Sequence, residues 1–422
     1  MQSNLEGEAG VREGEVLAGK YRVERVLGIG GMGVVVAATH LQLETKVALK
    51  FLLPAMLRNQ EVVGRFAREA RAAVRIQSEH VARVSDVGTL ENGAPYMVME
   101  FLEGEDLAAW IQRNGALPVD QAVDFVIQAC VGVASAHGIG IVHRDLKPAN
   151  LFCLRGNDGQ FVIKVLDFGI SKVNNLAVSD GGGSMTHTSA VMGSPYYMSP
   201  EQMVSAKDVD ARTDIWALGV VLYELLTAQT PFAGESFAEI AIKVATASFA
   251  PVRSYRPDAP PGLEAVLIKC LEKDKIRRYT NVAELALALA DFGSRRSRPL
   301  IERVVGIIQA SGLSSSVLAL PPSPLVARSP TPATRLSPSD GADVQPPPNG
   351  YGTLGTMAPS ANTTPDSVAG VPKRRIGTAQ VAVAGLVVVI GIAAVVGWKV
   401  LPRSEPAAAA GDSLPHPAVA SA

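Results

Sequence analysis

The chain has 422 residues, with 39 Lys and Arg against 40 Asp and Glu, so it is too long for one ordinary domain and too evenly charged to argue for nucleic acid as a partner. Its cysteines, Cys130, Cys153 and Cys270, are odd in number and widely spaced, which excludes a disulfide framework and a zinc-ligand pattern and points to a reducing compartment. Residues 1–20 carry glutamates and glycines in place of an apolar run, so they read as an N-terminal tail without a signal peptide, expected to stay in the cytosol.

Residues 27–36 read LGIGGMGVVV, a glycine cluster between two β-branched segments. Glycines let backbone N–H groups close over phosphates with no Cβ in the way. A dinucleotide fold uses a similar string but follows it with a helix, whereas here Val34 to Val36 continue as a strand, so a hairpin is expected. The next strand ends VALK at Lys50. In residues 61–77, EVVGRFAREARAAVRIQ, the helical period sets Val62, Phe66, Ala73 and Ile76 on one face, with Arg68, Arg71 and Arg75 away from it. Glu69 falls in the middle of that apolar face. An inward carboxylate needs a cation, and Lys50 is the obvious one; such a pair behind a glycine-rich hairpin would hold the α- and β-phosphates of a nucleotide.

Residues 141–152 read IVHRDLKPANLF and residues 162–169 read VIKVLDFG. With these strings the chain resembles the eukaryotic-type (Hanks-type) protein kinase superfamily in its bacterial transmembrane Ser/Thr branch, over residues 21–293. The resemblance implies an α+β, bilobal fold with a small β-rich N-lobe and a larger helical C-lobe. It implies ATP with Mg2+ or Mn2+, and Ser/Thr hydroxyls of proteins as acceptors. Asp145 would orient the substrate hydroxyl, Lys147 would neutralise the γ-phosphoryl group, Lys50 and Glu69 would form the phosphate-directed pair, and Asn150 and Asp167 would bind the metal. The nucleotide would meet Leu27, Gly28, Ile29, Gly30, Gly31, Met32, Gly33, Val34, Val35, Ala48 and Lys50. The string PYMVMEFLEGEDL, residues 95–107, resembles the strand and hinge that hold adenine: Met99 controls depth behind the base, Glu100 and Leu102 offer backbone groups, and Asp106 reaches the ribose.

Further along, SPE at residues 199–201 replaces the more usual APE and keeps the carboxylate, with Arg278 as its implied partner. Asp214 resembles the carboxylate that supports the catalytic loop. Ser194 stands where many relatives have Thr. Between Asp167 and Glu201 lies the string SDGGGSMTHTSAVMGS, in which Thr186 and Thr188 resemble the twin threonines that related bacterial kinases phosphorylate on other copies of themselves; a phosphate there would pair with Arg144. A small-molecule phosphotransferase is one rival. The alternative from another class is a membrane-tethered pseudokinase acting as a nucleotide-binding interaction module, although Lys50, Asp145, Asn150 and Asp167 all stand.

Residues 294–375 shift to Pro, Ser, Ala and Gly, with repeated Ser-Pro and Thr-Pro pairs, and are expected to be a disordered linker apart from one short apolar helical stretch at 300–313. Residues 376–398, IGTAQVAVAGLVVVIGIAAVVGW, hold 23 residues without a charge, against the ~20 needed to cross a bilayer. Lys373, Arg374 and Arg375 abut the N-terminal end, so a single-pass helix in the cell membrane is expected, with the kinase domain cytoplasmic and the short tail 399–422 outside.

Overall fold

The β-branched runs of the first hundred residues form an antiparallel sheet of β1 (Val16–Leu17), β2 (Tyr21–Ile29), β3 (Gly33–His40), β4 (Thr45–Leu52), β5 (Val84–Thr89) and β6 (Pro95–Glu100), in the order β1-β2-β3-β4-β6-β5. The computed structural model describes residues 10–30, 33–156, 159–168, 195–205 and 208–313. In this sheet Lys50 lies opposite Val35 on β3 and Met97 on β6, while Ala48 lies opposite Ala37 and Met99. Opposed residues share a face and neighbours along a strand alternate. One face therefore carries Val35, Ala48, Lys50, Met97 and Met99. The other carries Val34, Val36, Leu49 and Phe51, buried with Tyr96 and Val98.

Helix α1 (Gln60–Arg75) covers the Lys50 face. The Asn59 side chain starts it, accepting from the backbone N–H groups of Glu61 and Val62 at 3.0 and 3.3 Å. Its apolar stripe of Val62, Phe66, Ala70 and Ala73 packs with Leu52, Val84 and Met97, as the helical period requires. Arg65 is also turned inward, which the apolar pattern does not foresee, and pairs with Glu61 at 3.2 Å.

After β6 come β7 (Gly104–Asp106), α2 (Leu107–Asn114) and α3 (Val119–His137), then β8 (Leu151–Arg155) and β9 (Phe161–Val165), with β7, β8 and β9 forming a second sheet. The remaining described elements are helical: α4 (Pro200–Val204), α5 (Arg212–Thr227), α6 (Phe237–Thr246), α7 (Pro261–Cys270), α8 (Val282–Ala288) and α9 (Arg298–Ala310). The second lobe has its own core around α3 and α5, both apolar nearly all round because neighbours enclose them. Thus a β-rich lobe precedes a helical one, as expected. Among the described residues α3 is long and apolar enough to cross a membrane, yet most of it is buried inside this lobe, so it is a core helix. Gly132 permits its closest approach: a Cβ there would lie 2.5 Å from the carbonyl oxygen of His80.

Both expected boundaries of the folded region move outward. Leu17 of β1 pairs with Tyr21, and Val11 is buried in the core of the first lobe, so the fold begins before residue 21. At the other end α9 buries Ile301, Val304, Val305 and Ile308 against α3 and α8, so the fold continues past residue 293. The string SRRSRP has linker composition, but the Ser294 backbone N–H donates to Asp124 Oδ1 at 2.8 Å and the Ser297 hydroxyl donates to the same carboxylate. Each buried aliphatic side chain of α9 contributes about 1.5–3 kcal/mol, ample to hold the helix down. The expected linker beyond 313, the membrane helix and the tail lie outside the described residues.

Candidate active site

The two lobes meet at Lys50. Its Nζ lies 3.3 Å from Glu69 Oε1 on α1 and 2.7 Å from Asp167 Oδ1, two residues beyond the end of β9. Burial disfavours the ammonium, but the two carboxylates outweigh it and raise the Lys50 pKa. Lys50 in turn holds the Asp167 pKa below the usual range. Lys50 and Asp167 therefore both keep their charges at neutral pH.

The glycine-rich segment joins β2 to β3, the strand that pairs with β4 alongside Lys50. Gly30 N–H donates to the Gly33 carbonyl at 2.8 Å, closing the β2–β3 hairpin. Gly33 is required sterically, since a Cβ there would stand 2.6 Å from the Phe51 carbonyl oxygen. Gly31 and Met32 lie outside the described residues. Leu27 is 40% exposed, while Val35 and Ala48 share the Lys50 face. The Val34 side chain is fully buried on the opposite face, because strand neighbours alternate, which leaves only its backbone to a nucleotide beside Lys50. Asp106 Oδ1 caps α2 by accepting from Ala109 N–H at 2.9 Å, a second task for a residue expected at the ribose.

The loop between α3 and β8 supplies the remaining chemistry. Lys147 Nζ lies 3.2 Å from Asp145 Oδ2, and Asn150 Nδ2 donates to the Asp145 carbonyl at 2.7 Å and its carboxylate at 3.2 Å. With the Asn150 amide nitrogen so engaged, its oxygen is left for a cation. Among the described residues no group of three His, Cys, Asp or Glu assembles a metal site by itself. One amide oxygen and the Asp167 carboxylate suit Mg2+, which prefers oxygen donors, keeps waters and shares phosphate oxygens of a bound nucleotide.

Two backbone positions here are strained: Arg144 has φ 67° and Asp167 φ 44°, both left-handed for non-glycine residues. Their surroundings hold them there. The fully buried Asp214 accepts from the backbone N–H groups of His143 and Arg144, each at 2.8 Å. His137 Nε2 lies 2.7 Å from the same carboxylate. Gln202 Nε2 donates to the Arg144 carbonyl at 2.9 Å. His143 Nε2 bonds to the Leu166 carbonyl at 2.9 Å, so its other nitrogen accepts from Asp145 N–H at 3.2 Å, and Phe168 packs on its ring with centroids 4.6 Å apart. That neutral tautomer agrees with burial lowering the His143 pKa against the opposing pull of Asp214. Glu201 and Arg278 form the implied pair with bonds of 2.7 and 2.8 Å, and Thr213 donates to Glu201 at 2.8 Å. His137, Gln202 and Thr213 were not foreseen from the sequence; their roles arise across contacts far apart in the chain. Thr186, Thr188 and Ser194 lie outside the described residues.

Asp214→Asn tests this support. An amide places an N–H group against a backbone donor, and losing one member of a buried charge network costs about 3–5 kcal/mol. Denaturant unfolding is expected to show that loss, together with a fall in any activity that uses the loop; unchanged unfolding would contradict the assigned support.

A family model described as the protein kinase domain matches residues 21–289. The chain is 38% identical over 309 residues to the serine/threonine-protein kinase pkn3 of Myxococcus xanthus, covering 72% of this chain and 55% of that one. It is 37% identical over 272 residues to the serine/threonine-protein kinase PknB of Mycolicibacterium smegmatis, covering 64% of this chain and 42% of that one. The chain thus spans about half, or less, of the length of the curated relatives it matches. Among solved structures, the kinase domain of Mycobacterium tuberculosis PknI is similar with a TM-score of 0.52 and 27% identity, over 67% of this chain and 100% of that one.

Proposed function

The chain belongs to the protein kinase family, and from that premise we propose that it transfers the γ-phosphate of ATP to Ser and Thr hydroxyls of other proteins. The carrying observation is the assembled centre: Lys50 bridges Glu69 and Asp167, while Asp145, Lys147 and Asn150 are joined on one loop. Asp145 receives a hydrogen bond from the acceptor hydroxyl and aligns its oxygen for in-line attack. Lys147 and Lys50 face the negative charge of the transferring group, a role worth more in a partly buried cleft than in water. Asn150 and Asp167 would hold Mg2+, which would supply further neutralisation of the phosphate oxygens. The names of the relatives support Ser/Thr over Tyr as the acceptor class. Incubating the full-length protein with labelled ATP, Mg2+ and a generic basic protein, followed by phosphosite mapping, tests the assignment. Nucleotide binding without any transfer would favour the pseudokinase.

We further propose that the chain is anchored by residues 376–398 with this domain in the cytoplasm, and that copies phosphorylate one another at Thr186 and Thr188. Length and hydropathy support the first reading. The second is supported by Arg144, whose buried Nε has no hydrogen-bond partner among the described residues and so suits a phosphate acceptor. Thr186→Ala with Thr188→Ala is expected to lower activity at least about tenfold, the scale of one or two lost charge-assisted bonds. Wild-type self-phosphorylation should also accelerate with protein density on vesicles. A double variant as active as fully dephosphorylated-then-reactivated parent would reject this mechanism.

A further inference from the structure

The first hinge residue is held by more than its strand. Glu100 N–H donates to the Arg83 carbonyl at 2.9 Å, and Glu100 Oε1 accepts in return from Arg83 N–H at 2.8 Å. The same oxygen accepts from Lys164 Nζ at 2.7 Å. Lys164 lies on β9, three residues before Asp167, and its side chain is only 14% exposed against 32% for Glu100. The loop carrying Arg83 is itself tied to β9: Ala82 N–H donates to the Val165 carbonyl at 3.0 Å, and Val165 N–H donates to the His80 carbonyl at 2.9 Å. Three segments thereby close into one ring: the hinge, the loop that follows α1, and the strand that delivers Asp167. Two sides of the ring are made of backbone bonds. The third is a single charge-assisted bond in a partly buried position, where such bonds are about twice as strong as neutral ones.

We propose that Lys164 is a positioning residue for nucleotide binding. By holding the Glu100 carboxylate it fixes the backbone at which adenine docks relative to the strand that presents Asp167, so that base and phosphates are gripped in one geometry. This rests on the nucleotide-site reading above. Sequence reasoning passes over it because the hinge is expected to act through backbone groups alone, and Lys164 stands among apolar strand residues with nothing to mark its partner.

The test uses the full-length protein with Lys164→Met, which keeps the apolar stem, and Lys164→Arg, which keeps the charge. Dissociation constants for a fluorescent ATP analogue are measured beside kcat and both KM values. For Lys164→Met the analogue's Kd and the KM for ATP rise about five- to tenfold, while kcat and the KM for the protein substrate stay within about twofold. Lys164→Arg recovers most of the loss. Glu100→Gln, which still accepts from Arg83, behaves like Lys164→Met, and the double variant adds nothing further. Unchanged nucleotide affinity would overturn the proposal. So would a rise in kcat at constant KM, which would make the bond a restraint on turnover, or a loss of thermal stability that Lys164→Arg fails to repair. If the wild type binds the analogue yet transfers no phosphate, the kinase reading fails while the Kd comparison still decides the role of Lys164. A wild type that binds no nucleotide overturns both.

Discussion

Lys50→Met is expected to lower kcat/KM for ATP by on the order of 10²–10³-fold, the scale seen when one preorganised charge is withdrawn from a transition state. The amine serves two partners in the structure, at 3.3 Å from Glu69 and 2.7 Å from Asp167, so its loss acts twice. It removes a cation from the phosphates, and it leaves two carboxylates that no longer have a common counter-ion. The Asp167 carboxyl, held low by Lys50, rises toward its ordinary pKa. That weakens it as an oxygen ligand at mildly acid pH. The fold should survive, because Met keeps the apolar stem between Val35 and Met97, and the freed carboxylates can hydrate in the cleft. Circular dichroism and a melting curve distinguish catalytic loss from unfolding. Glu69→Gln is the informative companion: it spares the cation and weakens its tie to α1, so its defect should be clearly smaller. Near-normal activity of Lys50→Met would refute the assigned site.

The parts of this site that were legible in the sequence are those that the chain makes locally. Asp145, Lys147 and Asn150 lie within six residues, and one loop brings them together. The Lys50–Glu69 pair was readable because a carboxylate stood on an apolar helical face, a conflict that only an inward cation resolves. Val34 was less legible, because a motif carried over as a block does not say that strand alternation turns its side chain away from that of Val35. The helical stretch at 300–313 was legible as α9, but its docking was not: the polar string before it has linker composition, and only packing against α3 shows that the chain returns to the core. Positions such as His137, Gln202 and Lys164 gave no signal because their partners stand 77, 58 and 64 residues away, and nothing in local pattern encodes those meetings.

Asp145→Asn is expected to reduce kcat by on the order of 10²–10⁴-fold, the usual range for loss of a positioned acid–base group, while nucleotide affinity changes little. The geometry separates the two effects. Asp145 Oδ2 is bonded to Lys147 at 3.2 Å and Asn150 at 3.2 Å, while Lys50 and Asp167, which grip the nucleotide in its ground state, sit on other elements. The loop backbone is held by Asp214 through His143 and Arg144, and by Asn150 through the Asp145 carbonyl, none of which needs the Asp145 carboxylate. An amide of the same shape should therefore leave the loop in place, remove the acceptor for the hydroxyl proton, and face Lys147 without a charge. Titrating a fluorescent nucleotide against the variant reads affinity, and single-turnover phosphate transfer reads chemistry. Mapping phosphosites on the full-length protein then shows whether its own modification disappears with catalysis. A variant that loses transfer and keeps nucleotide binding supports Asp145 as the hydroxyl-orienting group. One that retains transfer within about threefold of the parent would assign that role elsewhere, since such a ratio is far below the contribution of a general base.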